Sequence, residues 1–218
     1  FVRICQVQEK QASEDLDASA MSMSCTRVLL GINQVFAEPS ETLLGCSQCQ
    51  IIRNYLGDDT MTGEIVIVSI ELTGRMRVWS FQEGELSAEA KENQRSIRAN
   101  DEFLIENATG TIMEACPPKL SGEGDLTAAV ACLDGSVAIV SLGIVTPKCK
   151  KDPKPAGTII DNWGSGSIAL SLSWHPFNHV LAVGRMDGIV DIIPATKKGQ
   201  HRLTHHSEPV RAVSYTKD

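Results

Sequence analysis

The sequence predicts an all-β fold, and three observations carry that prediction. Apolar residues fall in strand-length runs, as at 65–70 and 127–132, and none approaches the roughly 20 residues that span a bilayer. Val, Ile, Thr and Ser fill these runs, with Gly, Asp and Pro between them. One unit, a short apolar strand followed by a Gly-terminated turn and a second strand, occurs three times. Helical spacing is scarce: residues 8–20 and 84–98 are the best candidates, and both lack an apolar face, so they read as surface segments or loops.

The three units are Ile65-Val66-Ile67-Val68-Ser69-Ile70-Glu71-Leu72-Thr73-Gly74 leading into residues 75–81, Ala129-Val130-Ala131-Cys132-Leu133-Asp134-Gly135 into 136–142, and Val180-Leu181-Ala182-Val183-Gly184-Arg185-Met186-Asp187-Gly188 into 189–193. Asp-Gly supplies the positive φ that a two-residue hairpin connection needs, so such connections are expected at Asp134-Gly135 and Asp187-Gly188, with Thr73-Gly74 a weaker version. The flanking strands alternate only loosely between polar and apolar. Both of their faces must therefore be covered, as they would be in sheets stacked face to face.

A further strand precedes two of the units. Ala169-Leu170-Ser171-Leu172-Ser173-Trp174-His175-Pro176 alternates with period two and stops at its proline, and Thr111-Ile112-Met113-Glu114-Ala115-Cys116-Pro117-Pro118 has the same outline. Residues 20–26 are the expected counterpart in the first unit, and residues 1–7 read as an outer strand of a neighbouring one. The turn glycines lie 61 and 53 residues apart, against roughly 40–45 for repeats of this kind. The excess is assigned to polar insertions at 83–101 and 143–167, where loops tolerate length.

The most specific stretch is His206-Ser207-Glu208-Pro209-Val210-Arg211-Ala212-Val213-Ser214-Tyr215-Thr216-Lys217-Asp218. It resembles the start of a blade in WD-repeat β-propellers: a His, then Val, Val and an aromatic at alternating positions, then a turn acid. Residues 172–193 fit the three inner strands of such a blade, and Trp79 sits where the family's signature Trp belongs. No Trp-Asp pair is present, the positions reading Trp79-Ser80, Val140-Ser141 and Ile193-Pro194. The resemblance implies a β-propeller of four-stranded blades. About three blades and part of a fourth are visible, with residues 1–218 forming part of one propeller domain in approximate repeats 20–100, 101–160, 161–205 and a start at 206–218. The unfinished last unit makes the chain read as a piece of a longer protein.

Charge narrows the function. Twenty Lys and Arg against 27 Asp and Glu give −7 and a pI near 5.3, a balance that argues against a phosphate backbone as partner. The basic run Lys148-Cys149-Lys150-Lys151-Asp152-Pro153-Lys154 lacks aromatics and is broken by an acid and prolines, so it reads as a solvated loop. The segment 1–10 shows no signal-peptide pattern. Seven irregularly spaced cysteines, several inside apolar runs, match a reducing compartment and point to an intracellular protein, in cytoplasm, nucleus or cilium.

Reactive chemistry finds little support. Cys46-Ser47-Gln48-Cys49 has a metal-like or redox-like spacing, but it lacks the second pair that zinc needs and the βαβ context of a redox site. His201, His205 and His206 read as an inter-blade loop. Gly164-Ser165-Gly166-Ser167 fits neither a nucleophile elbow nor a phosphate loop. Trp79 and Trp174 are assigned to the core, and Trp163 is left open.

The expected function is a non-catalytic protein–protein interaction scaffold in a larger complex. Within the family, the C-terminal third resembles ribosome-biogenesis WD proteins, the WD subunit of the superkiller RNA-decay complex and intraflagellar-transport propellers about equally. The alternative is a propeller-fold hydrolase of the diphthamide-pathway type, which would need titrating residues converging in one cleft. Contact residues are expected around Arg185, Asp187, His206 and Arg211. Other protein subunits are the expected partners. No cofactor, metal, small-molecule substrate, nucleic acid or inserted membrane is expected.

Overall fold

The computed structural model describes residues 46–54, 64–82, 100–118, 124–146, 149–164, 166–195 and 200–216. They hold three antiparallel four-stranded sheets, each taking its strands in chain order. The first contains β1 (Cys46–Asn54), β2 (Glu64–Glu71), β3 (Arg75–Gln82) and β4 (Asp101–Leu104). The second contains β5 (Ala108–Ala115), β6 (Asp125–Cys132), β7 (Val137–Val145) and β8 (Ile159–Trp163). The third contains β9 (Ala169–Trp174), β10 (Val180–Arg185), β11 (Val190–Pro194) and β12 (His201–Leu203). Leading strands lie beside one another, β1 against β5 and β5 against β9. The sheets stand face to face as consecutive blades, which is the architecture of a partial β-propeller.

The loose alternation of the sequence has a direct cause. Ala128, Val130 and Cys132 of β6 face the first sheet with Ala138, Val140 and Leu142 of β7, meeting Val66, Val68, Ile70, Met76 and Val78. The intervening Ala129, Ala131, Val137 and Ile139 face the third sheet and meet Leu172, Trp174, Leu181, Val183 and Ile193. A strand buried on both faces has no polar side to show. Alanines on both faces of β6 keep the side chains short where two neighbours press in.

Polar side chains of the leading strands also tie the blades. The Gln48 amide donates to Met113 O at 2.7 Å and its Oε1 accepts the Met113 N–H at 2.7 Å. Gln50 Oε1 accepts the Ala115 N–H at 2.6 Å, and Ser47 Oγ donates to Ile70 O and Gly110 O. Ser171 Oγ likewise donates to Val210 O at 3.1 Å, and Ser173 Oγ accepts the Tyr215 N–H at 3.4 Å. Alternating polar residues on a leading strand thus satisfy backbone groups of the next one.

Four expectations change. The insertion assigned to 143–167 contains β8, an outer strand whose side chains are mostly outside the core, so its sequence lacks an apolar pattern. Trp163, which closes β8 and whose place the sequence leaves open, is buried and meets Trp174 edge to face at 5.4 Å; it belongs to the core. β1 occupies the leading position of the first sheet, while residues 1–7, 8–20, 20–26 and 84–98 lie outside the described residues. The extended segment 210–215 runs beside the third sheet without joining its ladder.

The hairpin turns are the fourth. Each has three loop residues: Gly135 N–H bonds Cys132 O at 3.1 Å and Cys132 N–H bonds Ser136 O at 2.9 Å. Only the third loop residue needs the left-handed backbone, and Gly135 takes it at φ 81°. This is the three-residue connection with a glycine bulge. Gly74 and Gly188 repeat it at φ 81° and 83°. A Cβ on Gly135 would also overlap the carbonyl of Gly166, where the chain leads into the next blade.

Gly135→Ala should therefore lower unfolding free energy by roughly 2–4 kcal/mol, from left-handed strain plus displacement of that backbone. Leu133→Ala in the same turn should stay within about 0.5 kcal/mol, because Leu133 is exposed. Urea titrations of the two variants measure the contrast.

Candidate interaction surface

The three turns and the chain segments linking one blade to the next gather at one end of the sheets. Turn residue Leu133 donates its N–H to Asn107 O at 2.7 Å, and Met186 donates to Ile168 O at 3.0 Å. Gly74 lies against Ile105 O and Gly188 against His206 O, close enough that neither tolerates a Cβ. Backbone contacts make much of these joints, and the first two residues of each turn keep exposed side chains.

Each turn is braced by the residue before its glycine. Asp134 Oδ1 accepts the Ser136 hydroxyl at 2.7 Å and the Ser136 N–H at 2.9 Å, and these bonds hold the Asp134 carboxyl below the usual aspartate range. Asp187 Oδ1 accepts the Ile189 N–H at 3.2 Å, and Thr73 Oγ1 accepts the Arg75 N–H at 3.4 Å. Both aspartates are exposed and carry their charge on this end.

The expected contact residues separate here. Arg185 is wholly buried. Its Nε donates to Asp191, itself 0% exposed, and its Nη1 donates to Gly135 O at 2.7 Å and Ser167 O at 2.6 Å. It clamps the turn of the second blade and the linker into the third, so it has no surface to offer a partner. A guanidinium suits this place because its donors fan out in one plane. Asp187, His206 and Arg211 are exposed. Asp187 donates its N–H to Ser167 Oγ at 3.1 Å, His206 abuts Gly188 through its carbonyl, and Arg211 follows Val210, whose N–H bonds Arg185 O at 2.9 Å. These three share one neighbourhood on the third blade.

Arg202, itself exposed, completes the charge group, donating to Asp191 at 2.9 Å through Nε. Burial pushes the Asp191 carboxyl up, but the hydrogen bonds and charges of Arg202 and Arg185 outweigh it and hold it below the usual range.

Toward the opposite end, Gln50, Ile52, Glu114, Cys116 and Pro117 line an open cleft of about 330 Å³ between the first two blades. Burial pushes the Glu114 carboxyl up, with the Gln50 amide pulling the other way. Cys116 Sγ lies 3.5 Å from His179 Nε2, and the Cys116 side chain is buried. The Cys46–Cys49 motif lies on β1, and among the described residues no three His, Cys, Asp or Glu side chains gather as metal ligands.

Sequence reasoning missed Leu72, Leu133 and Met186, which hold the first loop position of the three turns and are large, apolar and exposed. Their signal was present: each stands two residues before a turn glycine, where a polar residue is the norm. Its meaning depends on knowing that the turns share one end.

No protein-family model matches the sequence, and no curated protein does. Solved structures do match. Saccharomyces cerevisiae Sqt1 aligns at 15% identity and a TM-score of 0.49, covering 79% of this chain and 41% of that one. Chaetomium thermophilum Sqt1, solved bound to the N-terminus of the ribosomal protein L10, aligns at 19% identity and 0.44, covering 67% and 35%. BBS1N in complex with ARL6DN aligns at 11% and 0.44, covering 71% and 37%. The chain spans less than half the length of each.

Arg185→Met should cost about 3–5 kcal/mol in urea unfolding, since it removes the clamp on Gly135 and Ser167 and strips one partner from a buried ion group. Asp191 adds a pH signature. Its folded-state pKa is depressed, so its contribution is complete above the unfolded value of about 3.9 and is lost as pH falls through the folded value. Asp191→Asn should be less stable at neutral pH and show a shallower loss below about pH 4, read from unfolding midpoints across an acid series.

Proposed function

We propose that this chain is part of a WD-repeat β-propeller that serves as a non-catalytic scaffold, holding protein subunits of a larger intracellular complex. RNA processing, ribosome biogenesis and intraflagellar transport are the settings that the family resemblance suggests. One observation carries the reading. The blade faces and the main-chain joints are consumed by packing, whereas the turn-and-linker end holds its outward side chains on a braced backbone. Binding on a surface already ordered avoids the entropy that a flexible loop would lose.

The hydrolase alternative has only the buried Cys116–His179 pair at this cleft to draw on. Residues Asp187, His206 and Arg211 are the proposed contacts on the third blade, and Arg185 supports them from beneath.

Native affinity purification of the full-length protein, followed by mass spectrometry, should recover companions near one-to-one that survive moderate salt. A protein that elutes alone and hydrolyses an ester or amide substrate would defeat the scaffold reading.

A further inference from the structure

Leu72, Leu133 and Met186 are 53%, 61% and 55% exposed. A single exposed apolar residue is ordinary. The same loop position in three successive blades, filled each time by a large apolar side chain, is an arc along one end of the molecule. Leu72 and Leu133 remain exposed with the following sheet already packed beside them, so their exposure does not come from a missing neighbour. The N–H groups of Leu133 and Met186 are anchored to Asn107 and Ile168, which holds the backbone from which both side chains project.

Among the described residues the charge around this arc is mainly acidic, with the exposed Arg211 near Asp187 the exception. Asp134 and Asp187 follow Leu133 and Met186 in the chain, and Glu106 precedes the Asn107 carbonyl that anchors Leu133; all three acids are exposed. Four of the arginines near the same turns are engaged: Arg75 and Arg77 with Glu102 and Glu71, Arg185 and Arg202 with Asp191.

We propose that the arc of Leu72, Leu133 and Met186 docks a segment of a partner protein in which large apolar side chains are interleaved with Lys or Arg. The inference rests on the scaffold reading and specifies the partner for that same end. Apolar side chains of the segment would cover the arc, and its cations would meet Glu106, Asp134 and Asp187. The acids would repel a nucleic-acid backbone or an anionic bilayer, so a protein segment is the occupant that fits.

The test uses the full-length protein and a fluorescein-labelled synthetic peptide alternating leucine and lysine, with leucine–glutamate and serine–lysine peptides as comparisons, read by anisotropy. The leucine–lysine peptide should bind, and each comparison peptide at least about tenfold more weakly. The combined variant Leu72→Asn, Leu133→Asn, Met186→Asn should weaken binding by about tenfold or more while its thermal midpoint stays within a few degrees of the parent. Glu106→Lys should weaken it in a salt-dependent way. Equal binding by the triple variant, equal binding of the leucine–glutamate peptide, or preference for labelled RNA or phosphatidylserine vesicles would each overturn the proposal. Affinity purification separates the two levels. Companions that stay with the triple variant reject this surface and leave the scaffold standing; no companions with the parent protein reject the scaffold itself.

Discussion

The contact on which the rest of this structure depends is a glycine pressed against a carbonyl. Gly74, Gly135 and Gly188 each end a hairpin turn and each meet the backbone of the segment entering the next blade, at Ile105, Gly166 and His206. The contact sets how far apart two sheets stand at that end. Side chains on β2, β6 and β7 can then fill both flanking spaces, and β6 does so with alanines where room is least. A larger turn residue would lift the linker, and every layer between the blades would loosen with it.

This arrangement explains which parts of the molecule were legible in the sequence. The Gly-ended turns and the strands on either side carry a local signal, because backbone conformation and double-sided burial each restrict residue choice at the position concerned. β8 carries a mixed one: Ile159 and Ile160 favour a strand, but Asp161 and Asn162 do not, and no alternation marks a buried face. β1 was hidden for another reason. Gln48 and Gln50 look like surface residues until Met113 and Ala115 supply backbone groups more than sixty residues away. The short spacing of Cys46 and Cys49 drew attention to chemistry, whereas the residues between and beside them do the joining.

The candidate surface was legible in the same uneven way. Asp187, His206 and Arg211 are exposed, while Arg185, two residues before Asp187, points inward. A charged residue near a turn is ordinarily solvated, and only the convergence of Asp191, Gly135 O and Ser167 O makes burial of this one tolerable. Those partners come from three separate stretches of chain. No local pattern could have assembled them, nor could it have aligned Leu72, Leu133 and Met186 along one end.

The two joints between blades are built from different materials. The first is apolar packing with amide and hydroxyl bonds, one of them from the Gln50 amide to the Glu114 carboxyl; the second adds the buried guanidinium of Arg185, held by Asp191 within its own sheet and bonded across to Gly135 O. Heating treats these differently. The hydration that charged groups forfeit on burial becomes less favourable as temperature rises, so their desolvation costs less, while apolar stabilisation per unit area levels off. The second joint thus carries a growing share of the cohesion in a warm molecule, and the first a greater share in a cool one.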